Sequence, residues 1–416
     1  MDALAGPHRD HAELVALCDP SPIRMAWHNE RLAGQFKYPP VATYGPEDFH
    51  RMVAERRPQA VIITAPDYLH HDYAIRAMNA GCDVVCEKPL TIDGPRLRAL
   101  FDARDRTGRD LRVALNARYM PEMLAVRRAL MGGAVGRPLA ADLCWVLDTS
   151  HGADYFRRWH RQKDKSGGLL VHKASHHFDL LNWFLGSWPR EVFAFAELKF
   201  YGRANAEARR ESYAYDRYTG AVEAQDDPFA IALDRDEISR RLYLDAEKDS
   251  GYVRDRNVFG EGITIEDTIS LTARYRNGVL LTYSLLAYSP WEGLRLAITG
   301  TTGRVELYVR YGAHVTRVPA GREEQADAAS GAIRRLTVFP MFGIPYEVPI
   351  EPDEGGHGGA DPAIMNDLFC PDARADPLGC RSNAYDAAAS VLLGICANES
   401  SASGKPVRCD DVFRLP

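Results

Sequence analysis

The sequence predicts an α/β domain of nucleotide-binding type followed by an α+β domain built on a large open, mainly antiparallel sheet. Three observations carry this reading. Over roughly the first 120 residues, short apolar runs alternate with stretches of helical period, the pattern of βαβ units on a parallel sheet. After Gly136-Arg137-Pro138 the strands lengthen and their side chains alternate. An Asn277-Gly278 turn then joins two long alternating segments, a strong short-range hairpin signal.

A chain of 416 residues sets a prior of two to three domains at ~150 residues each. Apolar residues make up 46% and charged residues 26%, enough for a sizeable core and too apolar for disorder. Lys and Arg number 51 against 57 Asp and Glu, and the signs are interspersed, which argues against nucleic acid or an anionic membrane as partner. No window approaches the ~20 apolar residues of a membrane span. His8, Arg9, Asp10, His11 and Glu13 break up any apolar signal core near the start. Eight scattered cysteines make no disulfide framework, and Cys82-Asp83-Val84-Val85-Cys86 is not a CxxC pair. The expected location is cytoplasmic, with a longer exported precursor left open.

The elements follow in order. Residues 14–18 form a strand ending at Asp19-Pro20, and residues 60–64 a second ending at Ala65-Pro66-Asp67. Leu69, Tyr73 and Ala77 share one helical face, and Gly81 supplies the stop. Residues 83–86 are a third strand and 111–115 a fourth. Residues 167–183 read as one helix entered through Gly167-Gly168. Residues 201–256 are polar, rich in Tyr and charge, and fit neither period; they read as an insertion. Residues 269–275 and 279–288 form the hairpin, 294–298 and 304–308 extend its sheet, and 386–398 are a closing helix with a small-residue face. The expected domains are 1–120 and 121–416.

Ligands of open α/β sheets bind at the carboxyl ends of strands. Asp19 stands at the first such end, where a carboxylate can accept both ribose hydroxyls of an adenine dinucleotide and favours NAD over NADP. A plain Asp-Pro turn is the alternative. Thr64, Pro66, Asp67 and His70 follow the second strand, where a Pro turn and an Asp N-cap are compatible with binding. Glu87-Lys88-Pro89 follows the third. There the compact ammonium of Lys88 could polarise a substrate oxygen during hydride transfer, against the simpler reading of a surface lysine.

His172 and His176 lie four apart on one helical face, with Asp179 three further on. A neutral imidazole can take the proton from a hydroxyl as its hydride leaves, and two neighbouring imidazoles titrate as a pair. Zinc is the rival, but Lys173 stands where a zincin helix carries its Glu, so no metal is assigned. Buried histidines bonded within a core are the third reading. Tyr155, Arg158 and Trp159, with His160, form a polar-aromatic cluster suited to a hydroxylated ligand or to a packed loop. The Gly355-to-Pro362 loop, which contains His357, lacks the third glycine of a dinucleotide turn.

Together these residues resemble the Gfo/Idh/MocA family, named for glucose-fructose oxidoreductase and inositol dehydrogenase. The ordered match runs through Cys18-Asp19, Thr64-Ala65-Pro66-Asp67 with His70, Glu87-Lys88-Pro89, and Asn116-Ala117-Arg118-Tyr119. It continues through Gly167-Gly168 with His176 and Asp179, Gly300 to Gly303, and Gly404-Lys405-Pro406-Val407. The resemblance implies an N-terminal Rossmann domain binding NAD or NADP and a C-terminal domain with a large open sheet. It further implies redox chemistry on sugars or cyclitols, and a homo-oligomer, dimer or tetramer, assembled through that sheet. Lys88 matches the family lysine that binds substrate and assists proton transfer, His176 its catalytic histidine, and Asp179 a substrate-side carboxylate. Cofactor contacts are assigned to Asp19, Thr64, Pro66, His70, Glu87, Lys88 and Asn116, and substrate contacts to Tyr155, Arg158, Trp159, Asp179 and His357.

Two departures stand out. The family's DxGxH reads His172-Lys173-Ala174-Ser175-His176 here, so its acidic residue is replaced and the relay shifts toward a His pair. And Met1-Asp2-Ala3-Leu4-Ala5 matches the middle of the helix after the family's GxGxxG turn. Without the strand before that turn, its neighbours would have unpaired edges and the pyrophosphate no helix N-terminus. A misassigned start is the expectation. The predicted function is hydride transfer between NAD(P) and a hydroxyl or keto group of a sugar, cyclitol or glycoside. The alternatives are glycoside cleavage or epimerisation through transient oxidation, and a truncated, cofactor-free binding or scaffold protein.

Overall fold

The computed structural model describes residues 1–315, 331–352, 359–370 and 375–416. Five short strands open the chain: β1 (Ala16–Cys18), β2 (Ala42–Tyr44), β3 (Ala60–Ile63), β4 (Asp83–Cys86) and β5 (Leu111–Val113). All pair in parallel, but in two sheets, β1–β2 and β3–β4–β5. Among the described residues β1 pairs with β2 alone and β3 with β4 alone. Burial follows pairing: β1 is half-buried throughout and Ile62 is 43% exposed, whereas Val84 and Cys86 of the doubly paired β4 are in the core. Strand β2 and the helix Pro22–Phe36 add to the predicted elements. Three residues are too few to show a period. The helix is set by its ends instead, Ser21 accepting from Arg24 N, Pro22 at the first turn and Lys37 in the left-handed region at its close.

The remaining strands are β6 (Pro138–Asp148), β7 (Pro189–Glu197), β8 (Thr268–Tyr275), β9 (Leu280–Ser289), β10 (Glu292–Gly300), β11 (Gly303–Gly312), β12 (Ile333–Pro340), β13 (Tyr346–Val348) and β14 (Val407–Arg408). They form one sheet in the order β13-β12-β11-β10-β6-β9-β8-β7-β14, antiparallel throughout except between β6 and β9. The Asn-Gly hairpin is β8–β9, with Gly278 at φ 89°. On β8, Ile269, Leu271, Ala273 and Tyr275 are buried while Ser270, Thr272 and Arg274 are exposed, so one face packs and the other is open.

The helix Ala384–Ser403, longer than its predicted span, starts at a reciprocal Asn383–Asp386 capping box. A Cβ on its Gly394 would lie 2.0 Å from the carbonyl oxygen of Leu170, so glycine alone lets this helix rest on the backbone that carries His172. Gly394→Ala is therefore expected to lower the urea unfolding free energy by about 1–3 kcal/mol. An unchanged midpoint would mean the two helices can separate freely.

The insertion is made of loops and short helices, among them Arg203–Ala208, a π-helical turn Arg240–Leu244, and Glu247–Ser250. It does not stand apart, since Arg241 pairs with Glu30 on the helix Pro22–Phe36. All eight cysteines are free thiols, and among the described residues no helix is long and apolar enough to cross a membrane.

Candidate functional site

Gly168, at φ 76°, has no room for a Cβ, which would sit 2.5 Å from Glu266 Oε1. That carboxylate instead accepts the Leu170 N–H at 3.0 Å and opens the short helix Leu169–His172. The predicted single helix is in fact two, broken at Lys173 before Ala174–Leu185. The reason lies in the His172 carbonyl, which accepts from Ser175 Oγ at 3.1 Å and lies 3.5 Å from Lys88 Nζ.

The break aims His172 at the N-terminal strand ends. Its Nδ1 is 2.5 Å from Asp67 Oδ2, and its Nε2 is 3.3 Å from Lys88 Nζ. One imidazole thus bridges a carboxyl from the turn after β3 and an amine from the turn after β4. His70 holds those two turns together: its Nδ1 lies 2.7 Å from the Pro89 carbonyl and its Nε2 2.7 Å from that of Ala65. At 1% exposure, with a backbone carbonyl beside each ring nitrogen, His70 braces the two turns from within. Asp67 makes no helix cap; its side chain serves His172 instead.

Burial sets the charge states here. It pushes Asp67 well above its usual 3.8 and, against the opposing pull of that carboxyl, pulls Lys88 down from 10.5. Burial, with Lys88 and His160 adding to it, drives His172 well below 6.5. Burial thus disfavours the charged form of each of the three, the kind of environment in which catalytic acids and bases are tuned.

His160 completes the floor. It stacks on Trp159 at 3.6 Å and meets His172 edge to face at 4.3 Å, and its buried Nδ1 finds no partner among the described residues. Tyr155 lies 5.5 Å from the His172 ring, its hydroxyl 3.0 Å from His151 Nε2, while His151 Nδ1 is 2.8 Å from Glu292. Arg158, paired with Asp154 at 3.0 Å, adds positive field at Lys88 and His160.

Asp67, His160 and His172 each offer a ligand atom within 4.8 Å of the others, which raises the question of a metal. Two ligands on a tetrahedral zinc at ~2.0 Å stand ~3.3 Å apart. The 2.5 Å Asp67–His172 contact is instead a direct hydrogen bond, and an amine already faces the other His172 nitrogen. The donor set fits proton transfer better than an ion.

The other predicted residues divide. Asp19 stands at the end of β1, its Oδ1 accepting Ser21 N at 2.8 Å while the side chain remains 36% exposed. Thr64 and Glu87 are exposed at the ends of β3 and β4, and Pro66 is half-buried. These strand ends are open to solvent, and the carboxylate of Asp19 is partly exposed beside them. Asn116 follows β5 and donates to Asp361 at 3.0 Å. His176 is half-buried one turn beyond His172 and contributes to that residue's lowered pKa. Trp159 and Arg158 are half-buried, Tyr155 buried, and His357 lies outside the described residues. Asp179 is fully buried, and both of its oxygens accept from Arg118, at 2.6 and 2.8 Å.

The buried histidines also predict a stability profile. His177, stacked on Trp145 at 4.0 Å and 2.8 Å from the Tyr283 hydroxyl, is driven by burial well below 6.5, as are His160 and His172. Their folded pKa values lie under the unfolded one, so the unfolded state binds more protons as pH falls below ~6.5, and stability drops there by about 1.4 kcal/mol per pH unit per group. Unfolding midpoints at pH 7.5, 6.5 and 5.5 should show the fall, and His177→Gln should flatten it. Equal slopes in both proteins would contradict this account.

Residues 3–115 match the family model described as an oxidoreductase family NAD-binding Rossmann fold, and residues 127–408 match that family's C-terminal alpha/beta domain. The YteT protein of Bacillus subtilis is 32% identical over 97% of this chain and 93% of its own length. An inositol 2-dehydrogenase of Rhizobium meliloti is 27% identical over 47% of this chain and 62% of its own. In three dimensions the chain resembles a levoglucosan dehydrogenase solved with NADH and L-sorbose, at a TM-score of 0.62 and 16% identity over 98% of this chain and 94% of that one.

Proposed function

The chain belongs to the Gfo/Idh/MocA family of oxidoreductases, and on that premise we propose that it transfers hydride between NAD and the carbinol or carbonyl carbon of a sugar, cyclitol or glycoside. The observation that carries the reading is the Asp67–His172–Lys88 chain at the carboxyl ends of β3 and β4, buried at Asp67 and His172 and half-buried at Lys88. Bound nicotinamide supplies the hydride acceptor. The protein's own part is the proton. A substrate hydroxyl beside Lys88 would lose its proton to the amine or to His172 Nε2, and Asp67 holds the imidazole in the tautomer that leaves Nε2 able to accept. In the reverse direction the same groups would return it. His176, one turn along, assists the same oxygen, while Trp159, His160, Tyr155 and Arg158 offer stacking and hydrogen bonds to a polyhydroxylated ring.

Relatives bearing inositol and levoglucosan dehydrogenase names support a small polyol substrate. The open face of the nine-stranded sheet is the surface we assign to a second copy. The test is a panel of inositols, anhydrosugars, aldoses and glycosides offered to the full chain with NAD⁺. Substrate-dependent NADH absorbance is the expected result. Cleavage or epimerisation without net NADH would replace this reading with transient oxidation, and silence across the panel by a chain that binds NAD⁺ would remove it.

A further inference from the structure

The insertion meets the N-terminal strands at the position where the nucleotide's ribose is expected. Ser21, two residues past Asp19 and fully buried, donates through Oγ to Asp249 Oδ2 at 2.6 Å. Its backbone N–H meanwhile donates to Asp19 Oδ1 at 2.8 Å. Arg24 donates through Nε to the Leu242 carbonyl at 2.8 Å, lies 3.6 Å from Asp19, and stacks near Tyr252 at 5.9 Å. Its Nη2 is buried and has no hydrogen-bond partner among the described residues. The contact is pinned from outside by Arg241, which grips both oxygens of Glu30 at 2.7 and 3.0 Å. Four residues of the insertion, Leu242, Asp249, Tyr252 and Arg241, therefore engage one turn and the helix behind it.

A 2′-phosphate at this strand end needs a hydroxyl or a guanidinium to receive it, whereas a free 2′-hydroxyl needs only a carboxylate. Ser21 and Arg24 are the residues of the right chemistry beside Asp19. Ser21 Oγ is already taken by a second carboxylate, and Arg24 spends its Nε on the Leu242 carbonyl while its Nη1 lies beside Asp19. We infer that the insertion sets the choice of nucleotide: Asp249 and the Leu242 carbonyl occupy Ser21 and Arg24, so that the site accepts NAD and rejects the 2′-phosphate of NADP. The inference rests on the cofactor reading above and adds a selectivity residue contributed by the C-terminal part of the chain. Two carboxylates near one phosphate dianion repel it at short range, and the Ser21 hydroxyl, already donating to one of them, has no proton left to offer it.

Calorimetric titration of the full chain with NAD⁺, NADP⁺, 5′-AMP and 2′,5′-ADP tests it by binding alone. The unaltered protein should bind the nucleotides lacking the 2′-phosphate and discriminate against their phosphorylated counterparts. Asp249→Asn keeps the shape and a Ser21 acceptor but removes the charge; it should raise affinity for NADP⁺ and 2′,5′-ADP by about tenfold while NAD⁺ changes little. Ser21→Ala, which leaves the Asp249 charge in place, should keep most of the discrimination, and circular dichroism of both variants verifies the fold. An Asp249→Asn protein with the original NADP⁺-to-NAD⁺ ratio would overturn the inference and leave the cofactor reading standing. An unaltered chain that binds none of the four would overturn both.

Discussion

Lys88→Met is expected to fold normally, to keep its affinity for NAD⁺, and to lose turnover by about 10²–10⁴-fold. Met preserves the apolar stem that fills the turn after β4 and removes only the amine 3.3 Å from His172 Nε2. The loss should fall on kcat, because the amine matters most as the substrate proton moves. Asp67→Asn gives the complementary result. An amide that donates to His172 Nδ1 would force the ring's proton onto Nε2, turning the acceptor facing Lys88 into a donor; turnover should fall although every heavy atom keeps its place. The checks are steady-state kinetics on a substrate from the panel, the NAD⁺ dissociation constant, and the melting temperature. Normal turnover in Lys88→Met would end the assignment of this chain of groups as the proton path.

Much of this site was legible in the sequence, and the parts that were not have physical reasons. Strand ends are readable because an apolar run that stops at a Pro or an acidic residue marks where the element closes, hence the positions of Asp19, Thr64 and Lys88 just past β1, β3 and β4. The Asn277-Gly278 hairpin was readable because its backbone conformation demands those residues. What a local pattern does not carry is which long-range partner a buried polar side chain finds. Asp67 and His172 are 105 residues apart, and only the fold makes them one unit. Asp67 looked like a cap because caps are local. In the structure it supplies, from the N-terminal sheet, the carboxylate missing where His172 stands. His70 and Asp179 show the same limit: the sequence places each beside the strand ends or the His helix but not its buried partners, the Pro89 and Ala65 carbonyls and the Arg118 guanidinium. The insertion stayed unreadable because its short helices are held by ion pairs and aromatic contacts rather than by an apolar stripe.

The Arg118–Asp179 pair leads to the largest expected loss of stability. Both side chains are at most 3% exposed, and the contact is bidentate. Burial works against the charge on Arg118, but Asp179 outweighs it and pushes the guanidinium pKa up. Arg118 also lies 3.7 Å from Asp386, in the capping box that begins the last helix, and reaches the Gly379 carbonyl and the face of Trp183. Removing Asp179 leaves a cation in the core with only a distant second partner, and Asp179→Ala is expected to cost about 3–5 kcal/mol. Replacing both at once, Arg118→Met with Asp179→Leu, should recover much of that loss, since no charge then remains to be compensated. Urea unfolding of the two single variants and the double variant measures the coupling. If Asp179→Ala instead kept its midpoint and raised only the substrate KM, the carboxylate would belong to the substrate after all, and the rigid seam between the turn after β5 and the helix Ala174–Leu185 would have to be explained by apolar packing alone.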